Sequence, residues 1–398
     1  MFGIIRFPNE EHPAIAKGLR EAISDAVTID QLKARNPLRI IRSLDRSWAV
    51  FLNVLTDNYI QRVQSRTDPF HHCQLDEVNR STRSWVQQRL TYELRSRNIL
   101  SLLRSARLRA GVAWNGQIGN AALVARAFRH LSILALYAEL SPFKGRFFLD
   151  HLGVNAASSL QGVEPASLKE YSDEGDLFER LKLNYTGRRL SDATFEDPKS
   201  LPRSFVFAPL QVPTDTQIMV HGGAICRQSD YIKLLGEVVL SLPSHTRLVV
   251  KPHPQAPYRP EYLREAIGPQ VIFGAAYETR DLLERCIAVV TVNSSVGPDA
   301  FLFDKPVLAV GDAPWIKPGL ALKVGGATQL CNAIAGLPSF DRTLRQRFLA
   351  HWYHAYTCAQ DANPDYIRRF VEHKISLAAL AARSDTGRNP STAPPITH

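Results

Sequence analysis

The chain has 398 residues, enough for two domains of ordinary size, with the composition of a folded globular protein and a formal net charge of +10 that favours anionic partners. Its five cysteines are odd in number and none stand in C-x-x-C spacing, which argues against a zinc ribbon or a disulfide framework and fits a reducing cytosol. No apolar run approaches the ~20 residues of a membrane span, and the first residues lack the layout of a signal peptide, so a cytoplasmic protein is expected.

Taken in order, Ile4 and Ile5 open a strand, and residues 39–44 and 48–55 read equally as amphipathic helix or buried strand. His71-His72-Cys73 is not expected to hold a metal, because adjacent histidines point in different directions and no second ligand pair follows at zinc spacing. Between residues 80 and 109, Arg80, Arg83, Arg89, Arg95, Arg97, Arg104, Arg107 and Arg109 face a single acid, Glu93. Trp85, Leu90, Leu94, Leu100 and Leu103 recur there at helical spacing, giving an amphipathic helix with an arginine face. That face is either a solvated surface or a peripheral contact with an anionic inner-membrane surface. Nucleic acid is not an expected partner, since charge is present without a recognition motif.

Val112 to Trp114 reads as a strand running into the turn dipeptide Asn115-Gly116. Ala121 to His130 is a helix. Leu131 to Tyr137 is a strand ending at Ala138-Glu139, and Phe147 to Leu149 is a strand before Asp150. A carboxylate at a strand end beside a loop suits a cleft, and Glu139 is either such a group or an ordinary exposed charge. Residues 161–203, which include Asp173-Glu174-Gly175, read as a helix plus a linker, with a boundary at 203/204.

Beyond that boundary, strands alternate with helices. Phe205 to Leu210 is a strand, Ser229 to Leu242 a helix, Arg247 to Val250 a strand, Asp281 to Cys286 a helix and Ile287 to Val292 a strand. A short helix from Pro298 to Phe303 precedes the strand Val307 to Val310. This alternation implies a parallel doubly wound α/β sheet. Residues 204–340 form this domain, 341–383 are helical, and 384–398 are a disordered tail rich in Ser, Thr and Pro. Two loops at carboxyl ends of its strands carry chemistry. In Lys251-Pro252-His253-Pro254, two prolines bracket a histidine and fix its direction beside a lysine, which suits an anion such as a phosphate. Asn293-Ser294-Ser295-Val296-Gly297 offers hydroxyls and free amides where a helix begins, either as caps or as anion ligands.

Gln211-x-x-x-Asp215, Lys251-Pro-His-Pro254, Asn293-Ser-Ser-Val-Gly297 and Asp150-x-x-Gly-Val-Asn155 together resemble the capsular polysaccharide synthesis family, which includes retaining β-Kdo glycosyltransferases of bacterial surface polysaccharides. The resemblance runs from about Trp114 to Trp315. It implies a GT-B-like fold, two Rossmann-like domains with an inter-domain cleft followed by C-terminal helices. Residues 1–203 would form the acceptor-side domain and 204–340 the nucleotide-sugar-binding domain.

The same resemblance implies CMP-β-Kdo as donor and a glycan or lipid-linked glycan as acceptor, with no cofactor or metal. His253 would contact the CMP phosphate, with Lys251, Pro254, Ser294 and Ser295 around it. Gln211, Asn293, Gly297, Asn115, Asp150 and Asn155 complete the expected binding residues. Asp215 would be the catalytic carboxylate. Glu139 sits where related sequences place a cleft acid, although Leu140-Ser141-Pro142 departs from the usual Gly-containing pattern. The residue types agree with this chemistry. A CMP leaving group needs its phosphate charge compensated. Retention is most simply explained by two displacements through a carboxylate, here Asp215, while a second group, Glu139, deprotonates the acceptor hydroxyl. Three alternatives stay open: a sialyltransferase-like enzyme, for which Asp173-Glu174-Gly175 speaks, a UDP-sugar GT-B transferase, and a catalytically silent scaffold of polysaccharide assembly.

Overall fold

The computed structural model describes residues 2–5, 13–22, 26–28, 99–186 and 200–386, apart from positions 102, 105–107, 118, 214, 255 and 257. The described residues form two compact α/β units. The first holds the described residues up to Ser159 and those from Tyr356 onward, and the second holds Leu160–Ala355.

The first unit contains β1 (Phe2–Ile5), α1 (Pro13–Ala22), β2 (Ala26–Thr28), β3 (Ala110–Trp114), α2 (Gly119–His130), β4 (Leu134–Leu140) and β5 (Arg146–Asp150). Its sheet has the order β12-β5-β4-β3-β1-β2, where β12 is a later strand, Thr357–Ala359. Strands β2, β1, β3 and β4 run parallel. Strand β5 turns back antiparallel to β4, and β12 is antiparallel to β5. The core joins Ile15 and Leu19 of α1 to Val112, Leu136, Phe147 and Leu149 of the sheet.

The second unit begins with α3 (Glu174–Leu183) and continues through β6 (Phe205–Pro209), α4 (Thr216–His221), α5 (Gln228–Val239), β7 (Arg247–Lys251), α6 (Pro260–Ile267) and β8 (Ile272–Phe273). It is completed by α7 (Thr279–Arg285), β9 (Ala288–Thr291), α8 (Val296–Phe301), β10 (Val307–Ala309), β11 (Leu322–Lys323), α9 (Ala327–Ala335) and α10 (Arg342–Tyr356). All its strands are parallel, in the order β11-β10-β9-β6-β7-β8. Strands β6, β9 and β10 are buried along their whole length, as continuous apolar runs in a sheet covered on both faces must be. Strand β6 is central: β7 and β8 extend from one side of it, β9 to β11 from the other. The strand order therefore reverses between β6 and β9.

The two α/β units and the parallel sheet of the second bear out the expected α/β class. The division of the chain differs from the 203/204 boundary. Residues 160–186 lie with the second unit because they pack on α10: Tyr171 stacks on His354 at 4.7 Å, His354 Nε2 is 3.0 Å from Asp173, and Arg347 Nη2 is 2.8 Å from Glu170. After α10 the chain re-enters the first unit. There β12 pairs with β5, and α11 (Pro364–Thr386) packs on α1 and β4. The stretch 341–383, expected to be helical, forms two helices with β12 between them, and residues 384–386, expected in the tail, still belong to α11. Of the arginine face, Arg80, Arg83, Arg89, Arg95, Arg97 and Arg107 lie outside the described residues, as does His71-His72-Cys73. Leu100 and Leu103 are buried, while Arg104 and Arg109 are exposed. Among the described residues no helix is long and apolar enough to cross a membrane.

Candidate active site

In an open parallel sheet, the loops at the carboxyl ends of two strands flanking an order reversal splay apart, and ligands bind in the crevice between them. In the second unit those loops follow β6 and β9. The first carries Gln211 and Asp215, the second Asn293 to Ser295. Gln211 spans the reversal, with Nε2 donating at 3.3 Å to both Asp215 Oδ2 and Asn293 Oδ1. Two of the motifs thus meet through one side chain.

Asn293 is fully buried, and its amide donates to the carbonyls of Gln217 at 2.8 Å, His221 at 3.0 Å and Asp312 at 3.3 Å. It ties α4 to the loops after β9 and β10. A role as a direct ligand, expected from the sequence, gives way to this framework role, since its amide hydrogens already serve carbonyls.

Asp215 caps α4, with Oδ1 accepting from the Gln217 amide at 2.9 Å. Burial pushes the Asp215 carboxyl above its ordinary range, while the Gln217 amide, the Gln211 carboxamide and the nearby His253 pull it down. Asp215 and His253, from the loops after β6 and β7, are therefore electrostatic neighbours, as the shared carboxyl edge predicts. His253 is half-buried and its carbonyl accepts from the Ala256 amide at 2.9 Å, which closes the His-Pro loop, while Pro254 is exposed.

Lys251 departs from expectation. It is the last residue of β7 and is buried, and its ammonium donates to the carbonyls of Gly274, Ala275 and Tyr277 at 3.3, 3.0 and 2.6 Å. An ammonium has three protons, and three carbonyls take them. Lys251 anchors the loop after β8 instead of reaching beside His253 for an anion.

Ser294 Oγ accepts from the Val296 amide at 3.3 Å and starts α8, while Ser295, at the N-cap, is exposed and makes no capping bond. Gly297 is needed for packing: a Cβ there would lie 2.4 Å from the Trp315 ring. Asp299 of α8 is an acid the sequence reading passed over. Burial pushes its carboxyl up to about 7, opposed by the Tyr185 hydroxyl at 3.2 Å. His221 and Asp312 were also missed. The Asp312 amide donates to the His221 carbonyl at 2.7 Å, and the Asp312 carboxylate pairs with Lys323. The available signal was a histidine six residues after Asp215, followed by Gly222-Gly223, where a Cβ on Gly222 would lie 1.9 Å from the Ile225 carbonyl.

In the first unit, Asn115 Nδ2 donates to Glu139 Oε2 at 2.7 Å, so the turn after β3 meets the end of β4. Asp150 is not at that edge. Because β5 is antiparallel, its carboxyl end faces back along the sheet, opposite Tyr137. Asp150 is fully buried. Its Oδ1 accepts from the amides of Leu152, Gly153 and Ser159 at 2.8, 3.3 and 2.9 Å, and its Oδ2 from the Ser159 hydroxyl at 2.5 Å. Burial opposes its charge, but His151, the Ser159 hydroxyl and the loop amides outweigh it and hold the carboxyl down to about 2. It organises the 150–159 loop, in which Asn155 has left-handed backbone and its carbonyl accepts from Ser158 Oγ at 2.6 Å. Direct substrate contact by Asp150, expected from the sequence, is replaced by this structural role.

The Asp173-Glu174-Gly175 motif is placed at the start of α3, where Asp173 pairs with His354 rather than capping its own helix. Among the described residues, no group of three or more His, Cys, Asp or Glu side chains comes together in a way that could hold a metal ion.

The family model described as capsule polysaccharide biosynthesis protein matches residues 164–357, which contain this crevice with Gln211, Asp215, His253 and Asn293. Over that segment the chain is similar to the capsular polysaccharide synthesis family. Among curated relatives it is similar to Protein FixF of Sinorhizobium fredii, 29% identical over 229 residues, covering 56% of this chain and 54% of that one. It is also similar to the capsule polysaccharide export protein KpsS of Escherichia coli, 30% identical over 132 residues, covering 30% of this chain and 33% of that one. The chain thus spans about half the length of the first relative and a third of the second. A solved structure with a similar arrangement is the β-Kdo 2,4-transferase of Thermosulfurimonas dismutans KpsC, with TM-score 0.47, 18% identity, and coverage of 63% of this chain and 81% of that one. A likeness of that size speaks to neither donor nor acceptor.

Proposed function

We propose that the protein is a glycosyltransferase that moves Kdo from CMP-β-Kdo to a surface-polysaccharide or lipid-linked glycan acceptor, with retention of configuration. The observation that carries this reading is the convergence of Gln211, Asp215 and Asn293 at the order reversal of the second unit, with His253 as electrostatic neighbour of Asp215. The family match over the same residues supports it.

In this reading the donor phosphate lies against His253, and the ionised Asp215 attacks the anomeric carbon. The bond to CMP breaks and its electron pair leaves with the phosphate oxygen, giving a glycosyl ester on Asp215. An acceptor hydroxyl, losing its proton to Glu139, then displaces the carboxylate, and the second inversion restores the original configuration. The burial that raises the Asp215 carboxyl also strips water from the nucleophile, and the Gln217 amide and Gln211 carboxamide keep it oriented. Lys251 contributes at one remove, by fixing the loop after β8.

Ligand-dependent thermal melting tests the donor. CMP at ~100 times its dissociation constant should stabilise the protein by roughly 2.7 kcal/mol. No shift with CMP together with a clear shift with UDP would replace this reading by a UDP-sugar transferase.

A further inference from the structure

The Asn-Gly turn after β3 carries an arrangement that its turn chemistry does not require. Asn115 and Gly116 both have left-handed backbone, at φ 58° and 77°. Only glycine fits at 116, because a Cβ there would lie 2.4 Å from the Tyr137 ring. At Asn115 the backbone amide donates to the Ala138 carbonyl at 2.7 Å, which seats the residue against β4. Its Oδ1 accepts from the Gln117 amide at 3.1 Å, and its Nδ2 is thereby aimed at Glu139 Oε2, 2.7 Å away. The carboxamide has one sensible orientation. Reversed, it would set oxygen against the Glu139 carboxylate and N–H against the Gln117 N–H. The other carboxylate oxygen, Oε1, accepts from the Leu140 amide at 3.0 Å. One carboxylate is thus gripped at both oxygens, from its own strand and from the turn of the neighbouring strand. The Gln117 side chain fastens that turn to the Val154 carbonyl at 3.1 Å.

An ordinary strand-end glutamate would be left to solvent, with its three χ angles unconstrained and the entropy to match. A group that must take a proton from a hydroxyl has to be held within hydrogen-bond reach in one pose. We infer that Asn115 is a positioning residue for Glu139, locking its carboxylate in a single rotamer so that it receives the proton of the acceptor hydroxyl. Asn115, expected from the sequence to bind substrate, acts through Glu139 instead. The base role of Glu139 rests on the function proposed above, whereas the coupling between the two side chains does not. A carboxylate oxygen has two lone pairs, so the bond from Asn115 fixes direction while taking only one of those on Oε2.

Two arms separate the inference from that reading. The first needs no substrate: melting midpoints at pH 7 of the wild type, Asn115→Asp, Glu139→Gln and the double variant. Asn115→Asp retains the size, tolerates left-handed backbone and still accepts from the Gln117 amide, but sets a second carboxylate against Glu139. Its midpoint should fall by several degrees, and Glu139→Gln in the same chain should restore most of the loss. Additive midpoints would overturn the coupling. The second arm measures transfer from a CMP-sugar donor. Asn115→Gly keeps the left-handed turn and removes only the side chain. It should lower kcat about tenfold or more with acceptor KM nearly unchanged. Full turnover by Glu139→Gln would refute the base reading while leaving the coupling intact. Loss of turnover in Glu139→Gln with normal kcat in Asn115→Gly would refute the positioning role.

Discussion

Asp150 offers a sharp test of how a buried carboxylate is used, because binding and structural roles predict different pH behaviour. Its charge is held by the 150–159 loop, and its carboxyl lies at about 2 in place of 3.8. A depressed carboxyl stabilises the fold above the unfolded value and loses that contribution as pH falls through the folded one. The window is therefore about pH 4 down to pH 2. A difference of nearly two pH units at 1.36 kcal/mol each corresponds to about 2 kcal/mol at pH 7. Asp150→Asn keeps the shape and the amide acceptor but abolishes the charge. Urea unfolding of wild type and variant at pH 7, 5, 4, 3 and 2 should show the variant about 2 kcal/mol weaker at pH 7. The gap should stay level to pH 5, narrow below pH 4 and nearly close at pH 2. A constant gap at every pH would mean that the loop amides do not hold the charge. An unchanged stability with lost donor or acceptor affinity would return Asp150 to the ligand role expected from sequence.

Other substitutions probe the crevice. Gly297→Ala drives a methyl into the Trp315 ring and should cost ~1–3 kcal/mol, read as a lower unfolding midpoint. Lys251→Met should speed amide exchange in the 274–277 loop while weakening CMP binding less than His253→Ala does, measured by calorimetry of both variants. His253→Ala should lose most of the transfer rate with the melting profile of the free protein retained. The arginine-rich stretch from Arg80 to Arg109 should bind anionic vesicles at low salt and release them as ionic strength rises; absence of pelleting at low salt would count against a membrane contact.

Much of the second unit was legible because its central strands are buried on both faces. Phe205 to Pro209, Arg247 to Lys251 and Ala288 to Thr291 each appear in the sequence as apolar or β-branched runs that stop at polar loops. That placed Asp215 and His253 on one edge, where the fold puts them. The strand order was not legible, since pairing of β6 with both β7 and β9 is a tertiary fact, and so the bond from Gln211 to Asn293 could not be foreseen. Lys251 misled for a related reason. It adjoins His253 in sequence but ends a buried strand, where its ammonium meets carbonyls of the next loop. Asp150 misled because a strand end is a ligand edge only if the strand is parallel to its neighbours, and β5 reverses. β12 has three residues inside a helical stretch, too short for any periodicity to mark, yet it returns the chain to the first unit.

The most direct test of the central claim is peptide mass spectrometry of the full chain quenched during incubation with CMP-Kdo. The account predicts a single Kdo adduct on the peptide containing Asp215, absent from Asp215→Asn, with CMP binding little changed because asparagine also caps α4. An adduct on Glu139 or another residue, or near-normal turnover by Asp215→Asn, would contradict it.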